Sequence, residues 1–282
     1  MSVRIGELSR RVGVSVELLR AWERRYGLLQ PARSDGGFRL YSDDDEARIR
    51  TMQRHLEEGV AAAEAARLVL DGEARRDRSA ATPAAALEQL RAALDDFDEA
   101  AAQAVFDGLL ARFTLDTVLR DVVMPYLFEL GERWERGEVS VAHEHFASGL
   151  LRGRLLGLAR GWGQGVGRLV LLAGAPGEQH DLGLIAFGLA ARSRGWRVTF
   201  LGQDTPVADM AAAASELRPE LVVVGATVRH RLSGAADALR ALGGVVPLAV
   251  AGRGADARIA DDLGARLLQG DPVSAAESLS SH

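Results

Sequence analysis

Apolar positions near the start of the chain recur at the spacing of short helices. The first such series is Ile5, Leu8 and Val12. Gly13 interrupts it, and Ser15 is a favoured cap for a second helix that carries Trp22. Two short helices separated by a glycine predict a helix-turn-helix, in which the second helix enters the major groove of DNA. A small helical subdomain without that role is the alternative.

The middle of the chain also has a helical pattern. Residues 84–162 are rich in alanine and leucine, and their apolar positions follow a helical period between turn residues. Four helices packed as a bundle are the simplest arrangement of this pattern. The preceding residues 71–83 are charged and end in proline, which indicates a linker. No heptad series predicts a coiled coil, so we expect any oligomer contact to lie in a later domain.

From Arg168 onward, short apolar runs alternate with alanine-rich segments. The predicted strands are 169–173, 197–201, 221–226, 247–251 and 265–268. This alternation predicts a parallel, doubly wound, Rossmann-like α/β sheet. The fold class is therefore multidomain α and α/β. We expect a helix-turn-helix domain over 1–70, a linker over 71–83, a capping bundle over 84–162 and the sheet domain over 163–282.

Charge and composition narrow the possible chemistry. The net charge of −5 argues against a generally basic nucleic-acid coat, although it allows a local basic patch. The chain has no cysteine, so a metal site would need histidine or carboxylate ligands. No apolar run approaches the roughly 20 residues that span a bilayer. No signal-peptide pattern is present either, so we expect no membrane partner and a cytoplasmic location.

The local basic patch lies in the amino-terminal segment, where arginines alternate with aromatic residues. The residues predicted to contact DNA are Arg20, Arg24, Tyr26, Arg33, Arg39 and Tyr41. Arginines suit contacts to phosphate, while aromatic rings pack or bond to the backbone. Residues 34–37 have the composition of a hairpin turn, so residues 33–41 are predicted to form a small wing.

Four motifs in this segment match one family of regulators. They are residues 5–9, 13–15, 20–31 and 37–42. Together they resemble the DNA-binding domain of the MerR family of transcription regulators. The resemblance covers about the first 70 residues. It implies a winged helix-turn-helix that binds operator double-stranded DNA, in a homo-oligomer that we expect to be a dimer or tetramer.

A histidine motif precedes the first helix of the sheet domain. Residues Glu178 to Gly183 follow an apolar run, so His180 is expected on a loop at the carboxyl edge of the sheet, where open α/β folds bind ligands. An imidazole can ligate a metal through one nitrogen if a partner holds the other, and Glu178 or Asp181 is the expected partner. A hydrogen-bonded surface histidine is the alternative.

The Glu-x-His-x-x-Gly pattern of this loop resembles the signature of cobalamin-binding domains. The resemblance implies that His180 replaces the cofactor's own base below cobalt. It also implies that Thr227, where the family expects serine, offers a hydroxyl to the nucleotide tail, and that Gly252 and Gly254 line the pocket of that tail. Arg253 replaces a family glycine, and would either clash with a buried benzimidazole or swing outward to bind phosphate or carboxylate.

A second motif lies in the bundle, where Trp134 is followed after nine residues by Glu144 and His145. This spacing resembles the cap of CarH-type light-sensing regulators, which bind adenosylcobalamin. It implies that Trp134 lies against the upper face of the cofactor, with Glu144 and His145 near the adenosyl group. Glu135 stands where that family commonly has a cobalt-ligating histidine, and a carboxylate is a weaker upper ligand after photolysis. A core tryptophan before a solvated helix start is the alternative.

These features predict a DNA-binding regulator, expected to be a repressor, in which photolysis of adenosylcobalamin changes oligomeric state and DNA affinity. One alternative is a regulator of the same fold that senses cobalamin level or another chromophore, such as an open-chain tetrapyrrole. The other is a corrinoid methyl-carrier protein, which would not need an arginine-rich wing. The sequence has no recognisable catalytic triad or phosphate-binding glycine loop, so turnover catalysis is not expected.

Overall fold

A computed structural model describes residues 3–33, 37–79 and 82–280, without the side chains of residues 73–79 and 280. The chain forms two compact units, Met1–Thr82 and Pro83–His282. Among the described residues, no helix combines the length and apolar character that crossing a membrane requires.

The first unit is a small helical domain with a two-stranded antiparallel sheet. Its helices are α1 (Ile5–Val12), α2 (Val16–Tyr26), α3 (Asp43–Glu57) and α4 (Ala62–Ser79), and its strands are β1 (Ala32–Arg33) and β2 (Arg39–Leu40). Gly13 ends α1 in a left-handed conformation, and the Ser15 side chain caps α2. The predicted helix-turn-helix is confirmed. Most of the predicted wing turn, residues 34–36, lies outside the described residues.

The start of α3 is fixed by a capping box. The Ser42 hydroxyl accepts the backbone N–H of Asp45, and the Asp45 carboxylate accepts the backbone N–H of Ser42. Asp45 is buried and also accepts the backbone N–H of Gln30, so it ties α3 to the segment before β1. The acidic first turn of α3, residues 43–46, is therefore stabilised by specific hydrogen bonds in addition to the helix dipole.

The interpretation of residues 71–83 as a linker is wrong for most of that stretch. Helix α4 continues to Ser79, and the next helix begins at Pro83. Alanine, arginine and glutamate are abundant in linkers, but they are also strong helix formers, so composition alone cannot separate the two states. Pro83 occupies the first turn of a helix, where its missing N–H is not needed.

The second unit begins with the predicted helical bundle. Its helices are α5 (Pro83–Asp95), α6 (Glu99–Arg112), α7 (Leu115–Val118), α8 (Met124–Glu135) and α9 (Val141–Leu158). A π-helical turn over Leu119–Val123 joins α7 to α8, so these two helices form one continuous rod. Pro125 is the second residue of α8 and has no N–H to donate back to that turn.

A five-stranded parallel sheet follows, as predicted. Its strands are β3 (Leu169–Gly174), β4 (Arg197–Gly202), β5 (Leu221–Gly225), β6 (Leu248–Ala251) and β7 (Arg266–Leu267), in the order β4-β3-β5-β6-β7. The helices between and after them are α10 (Leu182–Ser193), α11 (Val207–Leu217), α12 (Arg229–Ser233), α13 (Ala236–Gly243), α14 (Ala257–Leu263) and α15 (Pro272–Glu277). The strand order reverses between β3 and β5, which makes the loops after these strands the expected ligand edge.

The bundle and one face of the sheet share a continuous core. Leu119 and Leu155 of the bundle are fully buried in the same cluster as Val170 of β3 and Ile185 of α10. The other face of the sheet packs against α11, α13 and α14 in a second cluster. The bundle is therefore joined to one face of the sheet by apolar packing.

Candidate cofactor site and DNA-binding surface

The loop after β3 is organised around a buried carboxylate. Glu178 is only 2% exposed and accepts four hydrogen bonds. Two come from His180, from its backbone N–H at 2.9 Å and its ring Nδ1 at 2.6 Å. Two come from Thr227 on the loop after β5, from its backbone N–H at 2.6 Å and its hydroxyl at 2.8 Å. Glu178 therefore connects the two loops that diverge at the switch point of the sheet.

These hydrogen bonds determine the ionisation of Glu178. Burial on its own raises the pKa of this carboxyl, but the hydrogen bonds from Thr227 and His180 outweigh burial and hold its pKa below the ordinary value. A carboxylate acceptor at Nδ1 requires the neutral imidazole of His180 to carry its proton there. Nε2 is then left with a free lone pair, on a side chain that is 72% exposed.

Asp181 pairs with Arg152 and not with His180. Its carboxylate is 2% exposed and receives the guanidinium of Arg152 from α9, with Nε at 2.9 Å and Nη2 at 2.8 Å. Of the two acids considered as partners of His180, the structure gives that position to Glu178. Asp181 instead attaches the loop between β3 and α10, residues 175–181 (the histidine loop), to the bundle through a bidentate, charge-assisted pair.

The glycines of the site differ in what surrounds them. A side chain on Gly183 would meet nothing within 4 Å, so the start of α10 faces open space. A side chain on Gly252 would collide with the carbonyl oxygen of Ala226, and one on Gly254 would lie 2.6 Å from the carbonyl carbon of Val228. Gly252 and Gly254 are thus required for the close approach of two loops, whatever further role they have towards a ligand.

The cap residues lie on α8 and α9. Trp134 is half-exposed in the last turn of α8, which does not fit the alternative of a core tryptophan. On α9, His145 is exposed and its Nε2 lies 3.6 Å from a carboxylate oxygen of Glu144. Within the described part of the chain, no hydrogen bond, ion pair or ring contact joins these three residues to His180.

Arg253 connects α8 to the sheet edge. Its Nη2 lies 3.5 Å from Oε1 of Glu135, and its guanidinium carbon lies 5.7 Å from the ring centroid of Phe128. The face of α8 that carries these two residues therefore lies against the loop after β6. Arg253 swings outward, the second of the two outcomes predicted for it, and its partner is a carboxylate of the chain itself.

This arrangement limits the kind of metal that the site can hold. The described residues include no group of three or more histidine, aspartate or glutamate side chains placed to enclose an ion. One exposed imidazole nitrogen with a fixed tautomer is instead a suitable single axial donor to an ion whose other ligands belong to a macrocycle. The residues therefore fit a metal cofactor of the macrocyclic kind, for which His180 would be a suitable donor.

Three contributors to this site were missed by the sequence analysis. Arg152 lies 29 positions from Asp181, Phe128 reads as an ordinary bundle residue, and Arg231 of α12 lies against the backbone of Gly177 in the histidine loop. Each becomes part of the site only through the packing of separate elements. No local pattern in the sequence distinguishes these residues from other arginines and phenylalanines.

The DNA-binding prediction concerns the first unit. Arg20, Arg24 and Arg33 are exposed, and no ion pair holds them among the described residues, so their charge is available to phosphate. Tyr26 is half-buried at the end of α2. Arg39 is exposed but lies 3.0 Å from Glu23.

The prediction that Tyr41 contacts DNA is wrong. Tyr41 is fully buried, and its hydroxyl donates a 2.8 Å hydrogen bond to Glu23. Burial, followed by this hydrogen bond, raises the pKa of the phenol well above its ordinary value. Because Glu23 also pairs with Arg39, Tyr41 fixes the position of α2 relative to the wing and does not present its ring to a partner.

Comparison with known families agrees with this two-part architecture. The family model described as MerR HTH family regulatory protein matches residues 3–71, and the one described as B12 binding domain matches residues 86–156. The monomethylamine corrinoid protein of Methanosarcina barkeri has a similar structure, with a TM-score of 0.60 over 71% of this chain and 99% of that chain. At 16% identity, this likeness shows a common fold.

Two curated relatives span most of the chain. The HTH-type transcriptional repressor CarH of Myxococcus xanthus is 37% identical over 254 residues, which cover 86% of this chain and 85% of that protein. The HTH-type transcriptional repressor CarA of the same organism is 35% identical over 272 residues, which cover 90% and 88%. The chain therefore belongs to the CarH and CarA type of MerR-family transcriptional repressors, which couple a helix-turn-helix to a B12-binding domain.

Proposed function

We propose that this regulator binds adenosylcobalamin and uses it as a light sensor that controls its affinity for operator DNA. The observation that carries the proposal is the exposed imidazole of His180, whose Nδ1 is held by the buried Glu178 carboxylate. Bound adenosylcobalamin supplies a cobalt–carbon bond that visible light breaks. His180 would hold the metal of the cofactor through Nε2, and Glu178 fixes the tautomer that leaves Nε2 free to bind it.

The upper side of the cofactor is assigned to the bundle. The half-exposed ring of Trp134 would cover the reactive bond and exclude water. Glu144 and His145 would form hydrogen bonds with the polar groups of the adenosyl ligand. In support of this assignment, His145 is exposed and Glu144 is partly exposed, so neither side chain is buried in the protein core.

The sensor signal would pass through the contact between bundle and sheet. Arg152 joins α9 to Asp181, the residue next to His180. A change in how the bundle packs after loss of the adenosyl group would therefore be coupled directly to the histidine loop. We propose that bundle and sheet are the two-state element, and that their rearrangement changes a dimeric or tetrameric assembly.

Operator binding is assigned to the first unit. The exposed Arg20 and Arg24 lie on α2, the second helix of the helix-turn-helix, and the exposed Arg33 lies at the wing. Such arginines would pair with phosphates on both sides of the groove that α2 enters. Repression would follow from occupancy of the operator in darkness.

The proposal is tested by loading the protein with adenosylcobalamin in darkness. Its absorption spectrum, its mass by light scattering and its affinity for operator DNA are then measured before and after green light. We expect bound corrinoid in darkness, and a change of both mass and DNA affinity on illumination. Binding without any light response would instead support a sensor of cobalamin level, and absence of corrinoid binding would overturn the proposal.

A matched pair of variants identifies the ligand. His180→Ala removes the proposed axial nitrogen, whereas His230→Ala removes an exposed histidine on α12. We expect His180→Ala to lose the histidine-ligated corrinoid spectrum and His230→Ala to retain it. Equal spectra for the two variants would show that His180 is not the axial donor.

A further inference from the structure

Two residues at which this chain departs from the cobalamin-binding pattern lie against each other. Arg253, between the two glycines of the loop after β6, pairs with Glu135, which follows Trp134 on α8. Glu135 and Phe128 are seven residues apart, so they share one face of the helix, and Arg253 contacts both. The pair therefore bridges the bundle and the sheet edge.

Among the described residues, neither Glu135 nor Arg253 has a second ion-pair partner. Neighbouring charged residues on both sides have partners of their own: Arg133 with Asp95, Arg136 with Glu138, and Arg229 with Asp256. Glu135 is thus the carboxylate that neutralises Arg253. The two side chains are 61% and 57% exposed, and an ion pair this exposed contributes little to stability. We therefore consider how the guanidinium of Arg253 and the carboxylate of Glu135 would interact with a ligand.

We propose that the Glu135–Arg253 pair is a specificity determinant that selects a corrinoid with amide side chains over tetrapyrroles with free carboxylates. The inference rests on the proposed function. A guanidinium without a partner would attract a ligand carboxylate, but Glu135 already neutralises this one and repels a second anion. A primary amide of the ligand is not repelled by Glu135. Its oxygen can accept a hydrogen bond from Arg253 while its NH₂ group donates one to Glu135.

The test compares two corrinoids that both lack the nucleotide: cobinamide, with amide side chains, and cobyrinic acid, with carboxylates. Wild type is expected to prefer cobinamide. Glu135→Gln frees Arg253, so its affinity for cobyrinic acid should rise by about tenfold, the effect of one charge-assisted contact. Its affinity for cobinamide should change much less. The double variant Glu135→Gln/Arg253→Gln should lose the gain.

Glu138→Gln is the matched control. It removes the same charge from the same end of the bundle, but its partner is Arg136 and not Arg253. An equal gain in Glu138→Gln would reduce the effect to net charge and overturn the inference, as would an unchanged preference in Glu135→Gln. Titration of wild type with cobalamin separates the two proposals: no binding removes the proposed function, whereas normal binding with an unchanged preference removes only this inference.

Discussion

Replacement of Glu178 by glutamine should disturb the histidine loop in a calculable way. The carboxylate accepts two hydrogen bonds from His180 and two from Thr227. Glutamine has nearly the same shape, but one of its two terminal atoms is an NH₂ group that cannot accept. Two donors on one side of the residue must then face a donor.

The cost differs little between the two orientations of the glutamine. If the NH₂ group faces Thr227, the hydroxyl can turn to accept, but the backbone N–H of Thr227 is orphaned. If it faces His180, Nδ1 can accept only by moving the ring proton to Nε2, and the backbone N–H of His180 is orphaned. One buried N–H is lost either way, so we expect the free energy of unfolding to fall by about 1–3 kcal/mol.

Glu178→Gln should also weaken the binding of metal by His180. A ring without its carboxylate partner is less basic and less well oriented, which lowers metal affinity by about 10- to 100-fold. Urea unfolding of the ligand-free protein and spectral titration with cobalamin measure the two quantities separately. Thr227→Ser is the matched control, because it keeps both the backbone N–H and a hydroxyl.

The pH dependence of the free energy of unfolding provides a second measure of the role of Glu178. Because the pKa of Glu178 is held below its ordinary value of 4.5, its contribution to stability is fully present above that pH. The contribution is lost as the pH falls through the lower pKa of the folded state. Glu178→Gln should therefore lose less stability than wild type on acidification. Equal stability, affinity and acid response in variant and wild type would refute this account of the loop.

Three further changes test other parts of the structure. Asp181→Asn weakens the bidentate pair with Arg152 and should lower the free energy of unfolding by about 1.5–3 kcal/mol in urea titrations. An unchanged free energy of unfolding would show that this pair does not stabilise the fold. Gly254→Ala places a methyl group against a neighbouring backbone and should cost about 1–3 kcal/mol by calorimetry, whereas an unchanged melting temperature would contradict the close approach. Arg24→Gln should reduce the slope of log affinity for operator DNA against log salt by about 0.9, while Arg67→Gln, which removes an arginine paired with a glutamate on α4, should not.

The elements with local signals were predicted well. The stop at Gly13, the cap at Ser15 and the alternation of apolar strands with helices depend on neighbouring residues, and the structure has each of them. The exception is the end of α4, where charged helix-forming residues resemble a linker. Local composition gave no basis for choosing between these two states.

The chemistry of the site depends on contacts that the sequence does not encode locally. The course of the loop decides which acid is the partner of His180. It places Glu178 within hydrogen-bond distance of Nδ1 of His180 and directs Asp181 towards Arg152 on α9. The contact of Arg253 with Glu135 joins residues 118 positions apart. Both residues depart from the family pattern, but only the fold shows that they are partners.

The identity of the lower ligand can be tested directly by electron paramagnetic resonance of the protein loaded with cobalamin and reduced to the Co(II) state. The protein is prepared twice, once with ordinary histidine and once with ¹⁵N-labelled histidine. If His180 is the donor, we expect the splitting from the axial nitrogen to change from a triplet to a doublet on labelling. An unchanged triplet would mean that the cofactor keeps its own base, and would contradict the role given to His180.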